Sequence, residues 1–203
     1  MSQIAMGHGS DPWMTDQRLD GMFKLRHVIF KERLGWDVNS DEGRERDHFD
    51  ELDPVYMISE SSREAVDGCW RLLPTTVPYM LRDTFPELLR GEPVPEHNDI
   101  WELSRFAISP TSSEDCRQVN FRPVTFDMMR EVVLYAMSRG IKQYVSVTSV
   151  SLERMLRRVG VPMRRFGDGK AVKIGKVLSV AVWMDVNEES LAAVSPQEER
   201  RAA

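Results

Sequence analysis

The stretch PVTFDMMREVVLYAMSRGIKQYVSVTSVSLERMLRRVG, residues 123–160, decides the fold class. Pro123 suits the first turn of a helix that runs to about Arg139 and stops at Gly140. Residues 144–148 alternate apolar and polar, as a strand does, and residues 151–159 read as a second helix stopped by Gly160. Helix, strand and helix in direct succession belong to an α/β sheet protein. Downstream, residues 161–166 and 172–184 read as strands, with a turn at Gly167, Asp168 and Gly169 between them.

Upstream, residues 100–108 read as a strand, and residues 78–91 as one or two helical turns interrupted by Pro86. Residues 55–59 and 66–73 read as strands joined by a polar turn over 60–64. Residues 15–34 read as one helix, with Thr15 as cap and Gly35 as stop. Hairpins therefore accompany the alternation of helices and strands. The pattern predicts a mixed sheet with helices on both faces, not a purely parallel one. No internal repeat is present, so residues 1–203 read as a single domain, with 1–13 loose and about 187–203 polar and frayed.

The 203 residues are 41% hydrophobic and 29% charged, enough to build a sizeable core. A net charge of -5 argues against nucleic acid as the main partner. Cys69 and Cys116 lack metal-ligand spacing and fit a reducing compartment. The first residues lack a signal-like pattern and no apolar run approaches a membrane span. The expected location is cytoplasmic, with no membrane partner.

Charge in the wrong places carries the chemistry. On the first helix Leu19, Met22, Phe23, Phe30 and Leu34 form an apolar stripe, and Arg26 falls on it. Arg71 sits in the apolar strand GCWRLL, and Glu102 and Arg105 in the strand WELSRF. Asp47 and Asp50 bracket a loop. A charge on an inner face is costly unless paired, so the three arginines are expected to meet Asp47, Asp50 and Glu102. One reading is a structural network tying a loop to the sheet. The other is a cleft for a zwitterionic ligand, with Phe30, Trp36 and Phe106 supplying faces for a sulfonium or purine. Glu102 and Arg105 are three residues apart, so a regular strand points them to opposite faces; both line one cleft only if a bulge or strand end intervenes, and otherwise Glu102 faces the cleft while Arg105 anchors the loop carboxylates.

The ordered set RHVIFKERLGW (26–36), DHFD (47–50), RLLPTT (71–76), Phe85 and ELSRF (102–106) resembles the LuxI-type acyl-homoserine lactone synthases from about Leu19 to Met184. The resemblance implies a three-layer α/β/α sandwich similar to the acetyltransferase (GNAT-like) fold, with a cleft between splayed strands. It implies transfer of an acyl group to the amine of S-adenosylmethionine, followed by lactone closure, to make a quorum-sensing signal. S-adenosylmethionine is then a substrate, and no cofactor or metal is expected. Glu102 is the implied general base, with Arg105 holding a carboxylate or steadying Glu102. Arg26, Phe30, Trp36, Asp47, Asp50, Arg71 and Phe106 shape the S-adenosylmethionine side.

The donor is implied to be a thioester on acyl carrier protein or coenzyme A. Arg154 and Arg158 share a helix face at i, i+4, either as a solvated basic face or as a dock for an acidic carrier. Met128, Ser146, Thr148 and Trp183 are candidates for the acyl pocket, with Met129, Val132, Tyr144 and Leu178 beside them. The alternatives are a coenzyme A-dependent N-acyltransferase acting on another amine and a non-catalytic ligand-binding protein. The first would want a glycine-rich pyrophosphate loop after the central strand. Residues 109–116, SPTSSEDC, contain no glycine.

Overall fold

A computed structural model of the chain describes residues 3–61, 65–110 and 123–195. In chain order the elements are β1 (Gln3–His8), α1 (Asp16–Arg26), a π-helical segment (His27–Arg33), β2 (Ser40–Asp41), β3 (Arg44–Glu45) and a 3-10 turn (His48–Leu52). Next come β4 (Val55–Glu60), β5 (Val66–Pro74), α2 (Met80–Asp83), a second 3-10 turn (Pro86–Leu89), β6 (Ile100–Ile108) and α3 (Pro123–Arg139). The chain continues through β7 (Gln143–Ser149), α4 (Val150–Arg158), β8 (Met163–Arg165), β9 (Val172–Ile174), β10 (Val177–Asp185) and α5 (Glu188–Val194). It sorts into two units interleaved in sequence.

The first unit comprises Met1–Leu73, Leu103–Asn120 and Lys173–Val177. Here β1 pairs antiparallel with β4, and β4 pairs antiparallel with β5, Val55 standing opposite Leu72. The later part of β6 follows β5 in the strand order. Thr15 caps α1 as expected, its hydroxyl accepting from the Arg18 amide. The face of α1 that carries Met22 and Leu25 packs with Met14, Ile29, Phe30, Tyr56, Ile58, Cys69 and Ala107 into one apolar cluster. Burial of each large apolar side chain is worth about 1.5–3 kcal/mol.

The second unit comprises Pro74–Glu102, Phe121–Val172 and Leu178–Ala203. The start of β6 pairs parallel with β7, Ile100 opposite Gln143 and Glu102 opposite Val145. β7 and β10 run antiparallel, as do β10 and β8. Parallel and antiparallel pairs in one strand order make the sheet mixed, as the sequence predicts. The Tyr144 hydroxyl donates to the Val132 carbonyl at 3.0 Å, which fixes α3 against β7.

Several boundaries differ from the sequence reading. Residues 3–8, expected to be loose, form β1. The helix expected over 15–34 changes after Arg26 into wider π turns, with the Leu34 amide reaching back five residues to the Ile29 carbonyl. The strand expected over 172–184 is broken at Gly175 and Lys176. The expected frayed tail begins with α5, whose Asn187 and Ser190 cap each other reciprocally. Of the earlier expectations, residues 1–2, part of the 60–64 turn, 111–116 with Cys116, and 196–203 lie outside the described residues.

Candidate active site

Three arginines and three carboxylates interlock within the first unit. Arg26 donates through Nε to Glu45 at 2.5 Å and through both terminal nitrogens to Asp50 at 2.7 and 2.9 Å. Arg71 donates to Asp47 at 2.5 Å, to Asp50 at 2.9 Å and to the Ser104 hydroxyl at 3.1 Å. Arg105 donates to Glu45 at 2.9 Å and to Asp47 at 2.8 Å. Tyr56 adds a phenolic donor to Asp50 at 2.7 Å. Arg26, Arg71 and Glu45 have no exposed surface. Each guanidinium also lies over a ring: Arg26 on Phe23, Arg71 on Phe49 and Arg105 on Phe30, at 5.2–5.4 Å.

The third carboxylate is Glu45, not Glu102 as the sequence suggested. Glu45 ends the two-residue strand β3, three positions after exposed Glu42 in a charged stretch, and no periodicity separates one from the other. The only available signal was charge balance, and Glu102 filled that place. The Asp47 and Asp50 spacing has a local cause as well. Asp47 accepts from the Phe49 amide and Asp50 from the Asp47 amide, a reciprocal cap on the 3-10 turn. The turn thus orients both carboxylates through its own backbone, in addition to the arginines.

Arg105 breaks the regular strand, its φ of +60° lying in the left-handed region inside β6. Ser104 and Arg105 are consecutive, yet both serve the same cluster, which regular alternation forbids. Glu102, two residues before Ser104, keeps the Ser104 side of the strand. It lies in the second unit, 1% exposed, where its carboxylate accepts from the amides of Met80 at 3.0 Å and Leu81 at 2.7 Å. The first turn of α2 thereby sets its orientation.

Phe30 and Trp36 come together, ring centroids 5.2 Å apart, because the π segment brings the Trp36 amide to the Phe30 carbonyl at 2.9 Å. Phe106 does not join them. It packs on Trp70 at 4.6 Å, and Trp70 lies across β5 from Arg71.

The acyl-pocket candidates also divide. In the β7–β10 register Thr148 faces Val180 and Ser146 faces Val182, whereas Trp183 faces Val145. Cross-strand partners share a sheet face, so Trp183 is opposite Ser146 and Thr148. Met128 is one helical turn from Val132, which bonds Tyr144, so it belongs with the Tyr144, Ser146 and Thr148 face. Trp183 instead stacks on Phe166 at 4.8 Å, under Arg164, with its indole donating to Glu92 at 3.2 Å. Leu178 is 55% exposed and lines no interior pocket. On α4, Arg154 and Arg158 are exposed as expected, while buried Glu153 takes Arg157 at 2.8 Å and Arg165 at 2.6 Å.

Burial works to raise the Asp50 pKa, but the charges and hydrogen bonds of Arg26 and Arg71 prevail and hold the carboxyl far below the usual carboxylate range. A group depressed in the folded state stabilises the fold above its unfolded value of about 3.9 and loses that stabilisation as pH falls. The urea midpoint is therefore expected to be flat from pH 7 to 5 and to drop below about pH 4. Asp50→Asn is expected to flatten that acid limb. Burial also pushes the Cys69 thiol up to about 12, leaving it inert as a nucleophile. Among the described residues no group of His, Cys, Asp and Glu is arranged to hold a metal.

A family model described as autoinducer synthase matches residues 12–194. The chain belongs to the autoinducer synthase family. Among curated members, the acyl-homoserine-lactone synthase of Pseudomonas aeruginosa is 44% identical over 182 residues, covering 88% of each chain. The solved AHL synthase LasI superposes with a TM-score of 0.84 at 38% identity, covering 96% of this chain and 94% of its own. BjaI, described as a CoA-dependent acyl-homoserine lactone synthase with SAM and isopentyl-CoA, superposes at 0.82 with 25% identity, covering 100% of this chain and 90% of its own. N-acyltransferases of far lower identity share the fold alone, which places this synthase among GNAT-like mixed α/β proteins. Among the described residues of this family member no helix is long and apolar enough to cross a membrane.

Proposed function

We propose that this synthase joins a fatty acyl group to the amine of S-adenosylmethionine and closes the product to an acyl-homoserine lactone. The observation that carries the reading is the family match over residues 12–194, with curated synthases aligned along most of both chains. The buried charge cluster supports it, since Arg26, Asp47, Asp50, Arg71 and Arg105 all lie in the segments that resemble the family, with Glu45 joining them from outside those segments.

The substrate amine is protonated in water and must lose a proton before its lone pair attacks the thioester carbonyl. Glu102 takes that proton, directly or through a water, with its carboxylate oriented by the amides of Met80 and Leu81. The tetrahedral adduct collapses to an amide and expels the thiol of the donor. The substrate carboxylate then attacks the carbon next to the sulfonium. That carbon–sulfur bond breaks, the ring closes and methylthioadenosine leaves as a neutral thioether. This second step needs positioning more than acid or base, because a sulfonium is already a good leaving group. Phe30 and Trp36 face the sulfonium nucleoside, while the arginine–carboxylate cluster, Arg105 included, holds the wall rigid. The acyl chain lies on the Met128, Ser146 and Thr148 face. Arg154 and Arg158 dock the donor when it is an acidic carrier protein. The substrates place the enzyme in the cytoplasm, and S-adenosylmethionine is consumed as substrate rather than held as a cofactor.

The test is the purified chain with S-adenosylmethionine and a series of acyl thioesters, on carrier protein in one arm and on coenzyme A in the other. Mass spectrometry is expected to show an acyl-homoserine lactone, methylthioadenosine and free thiol in equal amounts. Absence of any lactone across both donor series sinks the reading. The better arm identifies the carrier.

A further inference from the structure

The turn between β9 and β10 crosses the chain beside Trp36 more closely than a side chain permits. Gly175 has φ +56°, and a Cβ added there falls 2.6 Å from the Gly35 carbonyl oxygen, 2.9 Å from its carbonyl carbon and 2.9 Å from Cδ1 of Trp36. Real Cβ atoms essentially never approach a neighbour within 3.0 Å, and two of these three obstacles are backbone that cannot swing aside. The Lys176 amide donates to the Leu34 carbonyl at 3.1 Å, which ties the turn to the strip it crosses. At Gly35, φ +62°, the three atoms nearest an added Cβ all belong to the Lys176 side chain, with Cε at 2.8 Å and Cγ at 3.2 Å. The crossing therefore depends on an absent Cβ at 175 far more than on one at 35. Beyond it stand Trp36 against Phe30 and Phe30 under the Arg105 guanidinium.

We propose that the turn 174–177 is a positioning element that holds Trp36 against Phe30 for the sulfonium nucleoside, and that Gly175 is the residue on which this depends. The proposal rests on the assignment of Phe30 and Trp36 to the S-adenosylmethionine side. Gly175 acts through Trp36 and touches no reacting atom. Its signature is a change in the apparent affinity for one substrate alone.

Gly175→Ala is expected to raise KM for S-adenosylmethionine roughly tenfold, while kcat at saturation and KM for the acyl donor stay within about twofold. Gly140→Ala is the control. Its φ of +73° imposes the same left-handed penalty, but nothing lies within 4 Å of the added Cβ. It is expected to lower the melting temperature and leave both KM values alone. Gly35→Ala meets only a flexible lysine, so it folds, and a rise of about threefold in the same KM is expected. If both crossing variants leave that KM within about twofold of the parent, the proposal is overturned. Should Gly175→Ala fail to accumulate, Gly35→Ala decides by itself. Trp36→Ala separates the two levels of inference. An unchanged KM there removes the substrate-side assignment and this proposal with it. A raised KM there beside unaffected glycine variants removes the proposal alone.

Discussion

Glu102→Gln is expected to lower kcat by about 10²- to 10⁴-fold with KM for either substrate little changed, as follows from losing a positioned general base. The substitution keeps shape and removes the charge and the basic oxygen. It has a second effect that must be separated from the first. Both carboxylate oxygens accept from backbone amides, so Gln necessarily turns its own NH2 toward the Met80 or the Leu81 N–H. That lost bond inside the fold costs about 1–3 kcal/mol of stability. Rates are therefore to be taken well below the melting temperature, with methylthioadenosine release as the readout and calorimetry reporting S-adenosylmethionine affinity. Retained affinity with lost turnover supports the base. A kcat within about tenfold of the parent removes Glu102 from that role. A merely ligand-binding protein would show no turnover to lose.

The second large effect is on stability. Arg26→Leu removes a fully buried guanidinium, leaves Glu45 with Arg105 alone and takes from Asp50 one of its two arginines. Breaking one side of a buried ion cluster costs about 3–5 kcal/mol, a large share of the 5–15 kcal/mol that holds a typical domain together. The urea midpoint is expected to fall accordingly at pH 7. The same loss is expected to shrink at pH 3, where the orphaned carboxylates take up protons. An Arg26→Leu midpoint equal to the parent's at pH 7 would mean that water reaches the cluster.

Much of this was legible in the sequence, for identifiable reasons. Pro123, Gly140, the 144–148 alternation and Gly160 each act locally, so α3, β7 and α4 were readable within a residue or two. The arginines were readable because an Arg on an apolar stripe violates a strong rule. Glu45 was not, since its burial comes from the partners that reach it and not from its neighbours in the chain. The acyl-pocket set divides for a different reason. Ser146, Thr148 and Trp183 lie on two strands, and only the antiparallel register shows that Trp183 takes the opposite face. The π segment after Arg26 was invisible because both helix types bury residues at similar spacing over two turns. Arg105 is the converse case. A break in the strand was one of the readings that the three-residue offset between Glu102 and Arg105 allowed, and the left-handed φ at Arg105 is such a break.

The arginine–carboxylate cluster also bears on how the chain reaches its native state. Arg26, Glu45 to Asp50, Arg71 and Arg105 arrive from four separate segments, and the Glu45–Arg105 pair closes a gap of 60 residues. Until all four meet, each charge is better served by water, so the cluster is absent from any partly collapsed intermediate. It is expected to form in the last stage of assembly, after the transition state, which chevron kinetics of Arg26→Leu would show as faster unfolding at an almost unchanged folding rate. Weakening it accordingly hastens unfolding while barely slowing folding. The lifetime of the folded enzyme, more than its rate of formation, is what these six side chains govern.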